Sequence, residues 1–264
     1  MLTKLLQYEA KATARVLLPV YGGVLALCLL TGICDRLNVP LTDLPGVLGW
    51  LGALLALLTV LALVFVLGAC VFVNVQRFYK LLGEQGYLLL SLPVPAWKHI
   101  AAKLLCACAW LIATFPFLFL CGDVMSGRFG ELSIIWPEAT PVVVAQTLLG
   151  LLLLVLAAAV AYLQFYLSCA IGAQFGQQRL LASIVSYFVL GFIEQMLFLI
   201  LMTSLAFAAY QNQTFWVERL ANSIAAPETA SIVLLGVADL FLLLVAAIHW
   251  AVTQWLITRR LNLA

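Results

Sequence analysis

Charge is scarce in this sequence. Asp, Glu, Lys and Arg make up 9% of its 264 residues and hydrophobic residues 66%, whereas soluble domains run at about 25% charged and about 45–50% apolar. A soluble globular domain is therefore excluded. Disorder is excluded as well, because the chain is apolar rather than polar and repulsive. A net charge of +2 provides no basic field for a nucleic acid. Histidine is nearly missing: His99 and His249 stand 150 residues apart. No His-Glu-x-x-His, no Gly-x-Ser-x-Gly and no Gly-x-x-x-x-Gly-Lys-Ser/Thr occurs, so zinc hydrolysis, serine catalysis and a P-loop have no visible apparatus. No catalytic, cofactor-binding or metal-ligating residue is assigned, and the chain is not expected to be an enzyme.

What the sequence has is long uncharged runs. A membrane helix needs about 20 mainly apolar residues, and a β-barrel would need alternating strands of about ten, much shorter than these runs. Residues 16–34, 104–122 and 240–258 are each 19 residues without a charge, 44–76 is a run of 33, and 139–178 a run of 40. Residues 180–217 are broken once, by Glu194. The expected fold is all-α and polytopic, a single transmembrane domain over 1–264. Its six spans lie near 16–34, 48–74, 101–121, 142–170, 181–208 and 229–257. The run of 40 has no turn signal between Val142 and Ile171 except Gly150 and reads as one long helix.

Basic residues test that count, because Lys and Arg stay on the cytoplasmic side. With the N-terminus inside and six spans, ten basic residues lie inside and three outside (Arg36, Arg128, Arg219). Splitting the long run worsens the division to eight against five. Both termini are therefore expected in the cytoplasm. Trp50, Trp97, Trp136, Trp216 and Trp255 fall at span ends, where amphipathic rings prefer to sit. Trp110 falls deeper. Gly46, Gly49 and Gly52 at the outer end of the second span permit close helix approach. Residues 1–15, with Lys4, Lys11 and Arg15, read as an amphipathic interfacial helix with Leu2, Leu5 and Leu6 toward lipid, rather than as a cleaved signal. Pro19 is expected to kink its junction with the first span.

The seven cysteines are mostly inside apolar runs, where Cys acts as a small hydrophobe. Cys106 and Cys108 diverge on a helix and form no metal pair. Cys34 and Cys121 both fall near the outer surface, which leaves a disulfide open. Asn212-Gln213-Thr214 matches a glycosylation acceptor in the last outer loop. Three ionisable groups lie within spans: Glu194 in the fifth, Asp239 and His249 in the sixth. A charge at mid-bilayer costs about 2.5–3.5 kcal/mol or more, so such groups face protein or a hydrated path. They are the candidate pathway residues. The plainer reading is a carboxyl hydrogen-bonded to a neighbouring helix.

The most informative stretch is the cytoplasmic segment 76–98, between spans two and three. It contains Arg77-Phe78-Tyr79-Lys80-Leu81-Leu82-Gly83-Glu84-Gln85-Gly86-Tyr87-Leu88-Leu89-Leu90-Ser91-Leu92-Pro93-Val94-Pro95. Two glycines bracket Glu84, and an apolar run ends at Pro93. That composition suits a short helix on the membrane surface, closed by the proline. The stretch Gly86-Tyr87-Leu88-Leu89-Leu90-Ser91-Leu92-Pro93-Val94 resembles the coupling segment of membrane permeases from bacterial two-component ABC exporters. The opening Leu5-Leu6-Gln7-Tyr8-Glu9-Ala10-Lys11-Ala12-Thr13 is similar to family N-termini from Gram-positive bacteria. The specific motifs cover about residues 1–20 and 76–105, and the overall layout covers the chain.

The resemblance implies a bacterial plasma-membrane transporter of two permeases and two P-loop ATPase chains, with ATP and Mg on the ATPases and no cofactor on this chain. The second permease is expected to be identical. The substrate is expected to be hydrophobic or amphipathic, in the narrower resemblance an amphipathic or antimicrobial peptide. The resemblance makes Gly83, Glu84, Gly86, Tyr87, Leu88, Leu89, Leu92 and Pro93 the ATPase-coupling residues. Two other classes stay open: a proton-coupled secondary transporter using Glu194, Asp239 and His249, and a non-transporting membrane assembly or immunity protein. Inverted repeats would support the former, and no convincing repeat relates 1–130 to 131–264.

Overall fold

A computed structural model describes residues 2–36, 47–82, 96–125, 140–175, 178–211 and 227–259. It is all-helical: α1 (Leu2–Arg36), α2 (Val47–Leu81), α3 (Ala96–Met125), α4 (Pro141–Gly172), α5 (Arg179–Gln211) and α6 (Pro227–Arg259), and among the described residues there is no strand. All six are long and apolar enough to cross a membrane, so the chain is a multi-pass membrane protein. The run of 40 uncharged residues forms a single helix of 32, α4. Thr140 caps it, accepting from the Val143 amide at 3.3 Å, and Pro141 occupies the first turn, where its missing donor costs nothing.

The outer surface carries the apolar side chains. Trp50, Leu57, Phe72, Phe119, Phe188 and Phe192 are all exposed, the reverse of a soluble protein and the natural state of helices solvated by lipid. Trp50, Trp97 and Trp255 are exposed near helix ends, as amphipathic rings at an interface should be. Gly49 and Gly52 are buried, and Gly46 lies outside the described residues.

The chain divides into two compact units, Met1–Arg77 with Ala101–Ile135 and Phe78–Ile100 with Trp136–Ala264. In the first unit α1 and α3 run parallel in constant register. Glu9 meets Lys103, Thr13 meets Cys106, Tyr21 meets Thr114, and Cys28 meets Cys121. The α1 positions lie on one face, at helical spacings of four and seven or eight residues. α2 runs antiparallel, bringing Arg77 to Glu9 and Cys70 to Tyr21. Leu17, Val24, Val66 and Val124 fill the core between them. Trp110 belongs to this core: its ring meets Tyr21 edge-on at 6.2 Å, which accounts for its depth. Buried polar side chains bond to their own helices, as hydrocarbon requires. Thr59 donates to the Leu55 carbonyl at 2.9 Å and Asn74 to Cys70 at 2.8 Å.

One expectation for this unit needs correction. Residues 2–15 are not a separate interfacial helix. α1 runs unbroken through Pro19, and 35 residues reach roughly 52 Å, well beyond a hydrocarbon core of about 30 Å. Leu2, Leu5 and Leu6 are half-buried near Glu9 and the buried Thr13, with Lys4, Tyr8, Lys11 and Arg15 exposed. The amphipathic pattern is real, but helix packing uses its apolar side. The pairing of Cys34 and Cys121, left open by the sequence, does not occur: neither is in a disulfide, and Cys121 is buried beside Cys28.

In the second unit α4 and α6 are parallel, with Gln146 donating to Ser231 at 2.7 Å, and α5 is antiparallel to both. The α4–α5 turn is tight. A Cβ added at Gly172 would collide with Ser183 Oγ and would lie 2.6 Å from the Arg179 carbonyl oxygen. Gly172→Ala is therefore expected to destabilise the protein by roughly 1–3 kcal/mol through overpacking, read as a lower unfolding midpoint in detergent. Ser183→Ala should restore only part of the loss, because the backbone contact remains.

Candidate functional site

The coupling residues Gly83, Glu84, Gly86, Tyr87, Leu88, Leu89, Leu92 and Pro93 lie outside the described residues, as does Asn212-Gln213-Thr214. The flanks of the segment are described, and they shorten it. α2 continues through Leu81 and α3 starts at Ala96, so the ends of the 76–98 stretch belong to long helices.

Those two helices share one charged partner. Glu9 of α1 pairs with Arg77 near the end of α2, Oε2 to Nη2 at 2.8 Å, and with Lys103 near the start of α3, Oε1 to Nζ at 2.8 Å. The Arg77 guanidinium also donates to Thr13 Oγ1 at 2.6 Å and to the Glu9 carbonyl at 3.1 Å. All three charged side chains are mostly buried, between 9% and 21% exposed. One carboxylate thus bridges two cations, and both belong to the helices that lead into and out of the 83–95 segment. Sequence reading missed this cluster. The available signal was Glu9 itself, the sole acid among Lys4, Lys11 and Arg15.

The three ionisable span residues separate. Glu194 and His249 come together, Oε1 to Nε2 at 2.9 Å, with side chains 19% and 5% exposed. The contact is a close approach rather than a well-aligned hydrogen bond, since Oε1 has no hydrogen-bond partner of good geometry among the described residues. His249 Nδ1 and Thr253 Oγ1, one turn on, also have no hydrogen-bond partner among the described residues. Asp239 does not join the pair. It lies ten residues from His249 on the same helix, about 15 Å along the axis. It is buried, and neither carboxyl oxygen has a hydrogen-bond partner among the described residues.

Beside the pair sits a set of uncharged polar groups that a search for charges passes over. Gln164 of α4 donates to the Tyr187 carbonyl of α5 at 3.2 Å. Phe165 stacks on the Tyr187 ring at 4.4 Å. Gly191 makes room for the amide: a Cβ there would lie 2.8 Å from Gln164 Nε2. Tyr187 is within electrostatic reach of Glu194. Among the described residues no group of three His, Cys, Asp or Glu side chains is placed to hold a metal ion.

Comparison with protein-family models, with curated proteins and with solved structures finds no match to this chain.

Proposed function

We propose that this chain is the membrane permease of an ATP-driven exporter, working with a separate P-loop ATPase. The observation that carries the reading is the Gly86–Val94 motif, whose flanking helices are both clamped to Glu9. A segment that receives force from an ATPase needs a stiff connection to the spans, and a shared, mostly buried carboxylate supplies one. On this reading two permeases and two ATPase chains assemble in the bacterial plasma membrane. ATP and Mg bind on the ATPases, both permease termini are cytoplasmic, and the cargo is hydrophobic or amphipathic, a peptide in the narrower form.

The first test is whether a neighbouring gene encodes a P-loop ATPase; co-expression with that ATPase is the second. A two-plus-two complex is expected, with cysteines at Glu84 and Ser91 cross-linking to the ATPase. Leu89→Asp should release the ATPase or uncouple hydrolysis from transport. Cross-links arising only from the 171–180 turn would reject the assignment. Orientation is tested separately in a cysteine-free background. Cysteines at Ser126 and Gln211 should label from outside, and those at Gln177 and Asn262 only after permeabilisation.

The Glu194–His249 pair favours a second reading, a proton-coupled transporter without an ATPase. A carboxyl and an imidazole at 2.9 Å can hand a proton between them. Transport by the purified chain alone in a proton gradient would select this reading over the first.

A further inference from the structure

α5 is the least covered helix of its unit: no residue in its spanning window is buried. Most of that surface is apolar and needs only lipid. One part differs. A groove of 660 Å³ opens along it, lined by Gln164, Tyr187, Phe188, Gly191, Phe192 and Gln195 among others. That volume lies in the range of ligand pockets, about 300–1,000 Å³. Gln195 is exposed and stands near the middle of α5, roughly 15 Å from either headgroup layer. Acyl chains offer an amide no hydrogen bond at that depth. An occupant that satisfies it must bring a polar group to the middle of the membrane.

The chemistry around the groove specifies that group. Glu194 is not itself in the lining, but it is partly exposed and within electrostatic reach of the lining residue Tyr187, so it is the nearby acid. Tyr187, Phe188 and Phe192 present aromatic rings, whose faces attract cations. The Gln164 and Gln195 amides add carbonyl acceptors. Between Arg179, at the start of α5, and Arg259, at the end of α6, the only Lys or Arg is Arg219, outside the described helices, so the interiors of α4, α5 and α6 hold no competing strong cation. The internal group that meets Glu194 is His249.

We propose that this groove binds the ammonium or guanidinium group of a cationic amphiphile, with Glu194 as its counter-ion and the apolar body lying along the exposed face of α5. The inference names the charge of the exporter's substrate and takes its biological meaning from that reading, although binding itself requires no ATPase. Glu194 faces inward to His249 when the groove is empty. A ligand cation entering past Gly191 and Gln195 gives the carboxylate a second, stronger partner.

The test uses the full chain in phosphatidylcholine nanodiscs, labelled by a diazirine-bearing dodecylamine or the matching dodecanol, with labelled sites mapped by mass spectrometry. Residues 187–195 should take up the amine about tenfold more than the alcohol, the ratio for one charge-assisted contact. Glu194→Gln should abolish that preference, and Gly191→Leu should reduce labelling by both probes. Gln195→Leu, which leaves the Glu194–His249 pair intact, should lower amine labelling and guards against a folding defect in Glu194→Gln. Equal labelling by amine and alcohol, or a preference that survives Glu194→Gln, overturns the proposal. So does disulfide formation between two chains carrying cysteine at Gln195, which would put a second copy in the groove. If the ATPase fails to copurify while the amine preference stands, the exporter reading falls and the binding site remains.

Discussion

Replacing Glu9 with leucine should destabilise the protein more than replacing Glu9, Arg77 and Lys103 together. The single change leaves a guanidinium and an ammonium with little water and no counter-ion, side chains that are 21% and 9% exposed. Breaking a buried pair by removing one partner costs about 3–5 kcal/mol, whereas apolar replacement of the whole set is often neutral. Partial exposure of Arg77 places the single change at the lower end, about 3 kcal/mol. The triple variant combining Glu9→Leu, Arg77→Met and Lys103→Met should recover most of it, as an interaction energy in a mutant cycle. The measurement is the unfolding midpoint of detergent-purified protein. Equal midpoints for Glu9→Leu and wild type would mean that the clamp carries no strain-bearing role. The functional consequence follows from position. With the clamp gone, α2 and α3 lose their shared ionic tie to α1 beside the 83–95 segment, so ATP hydrolysis should continue while transport per ATP falls. Glu9→Gln, which keeps hydrogen bonding but not the charge, should be intermediate.

His249→Leu should be the second severe change, at about 3 kcal/mol by the same physics, because it strands the Glu194 carboxylate at mid-membrane depth. Leucine at both positions should be far milder. Glu194→Gln should assemble normally, since the amide matches the carboxyl in size and keeps a polar group within 2.9 Å of the imidazole. It should nevertheless alter transport or its dependence on substrate charge. Normal transport by an assembled Glu194→Leu protein would confine the pair to a structural role. Asp239→Asn is expected to behave independently of both, because about 15 Å of helix separates Asp239 from His249 and their effects should add.

Local composition alone determined that this chain crosses a membrane six times. A bilayer sorts segments by length and mean polarity, properties each stretch carries by itself, so each expected span lies within an observed helix. The continuity of the run of 40 into one α4 was legible for the same reason: nothing in it stops a helix except one glycine. Helix rotation and register are different. They depend on which side chains of separate helices fit together, and no stretch holds that information. Tertiary packing alone half-buried Leu2, Leu5 and Leu6, placed Cys121 beside Cys28 and drew Trp110 into a core. It also divided three expected pathway residues into a pair and a solitary acid. Glu9 looked like one charge on a surface helix. Only the parallel register of α1 and α3, with α2 antiparallel, makes it the point where three helices meet, since a carboxylate becomes a clamp when both cations lie within 2.8 Å of it.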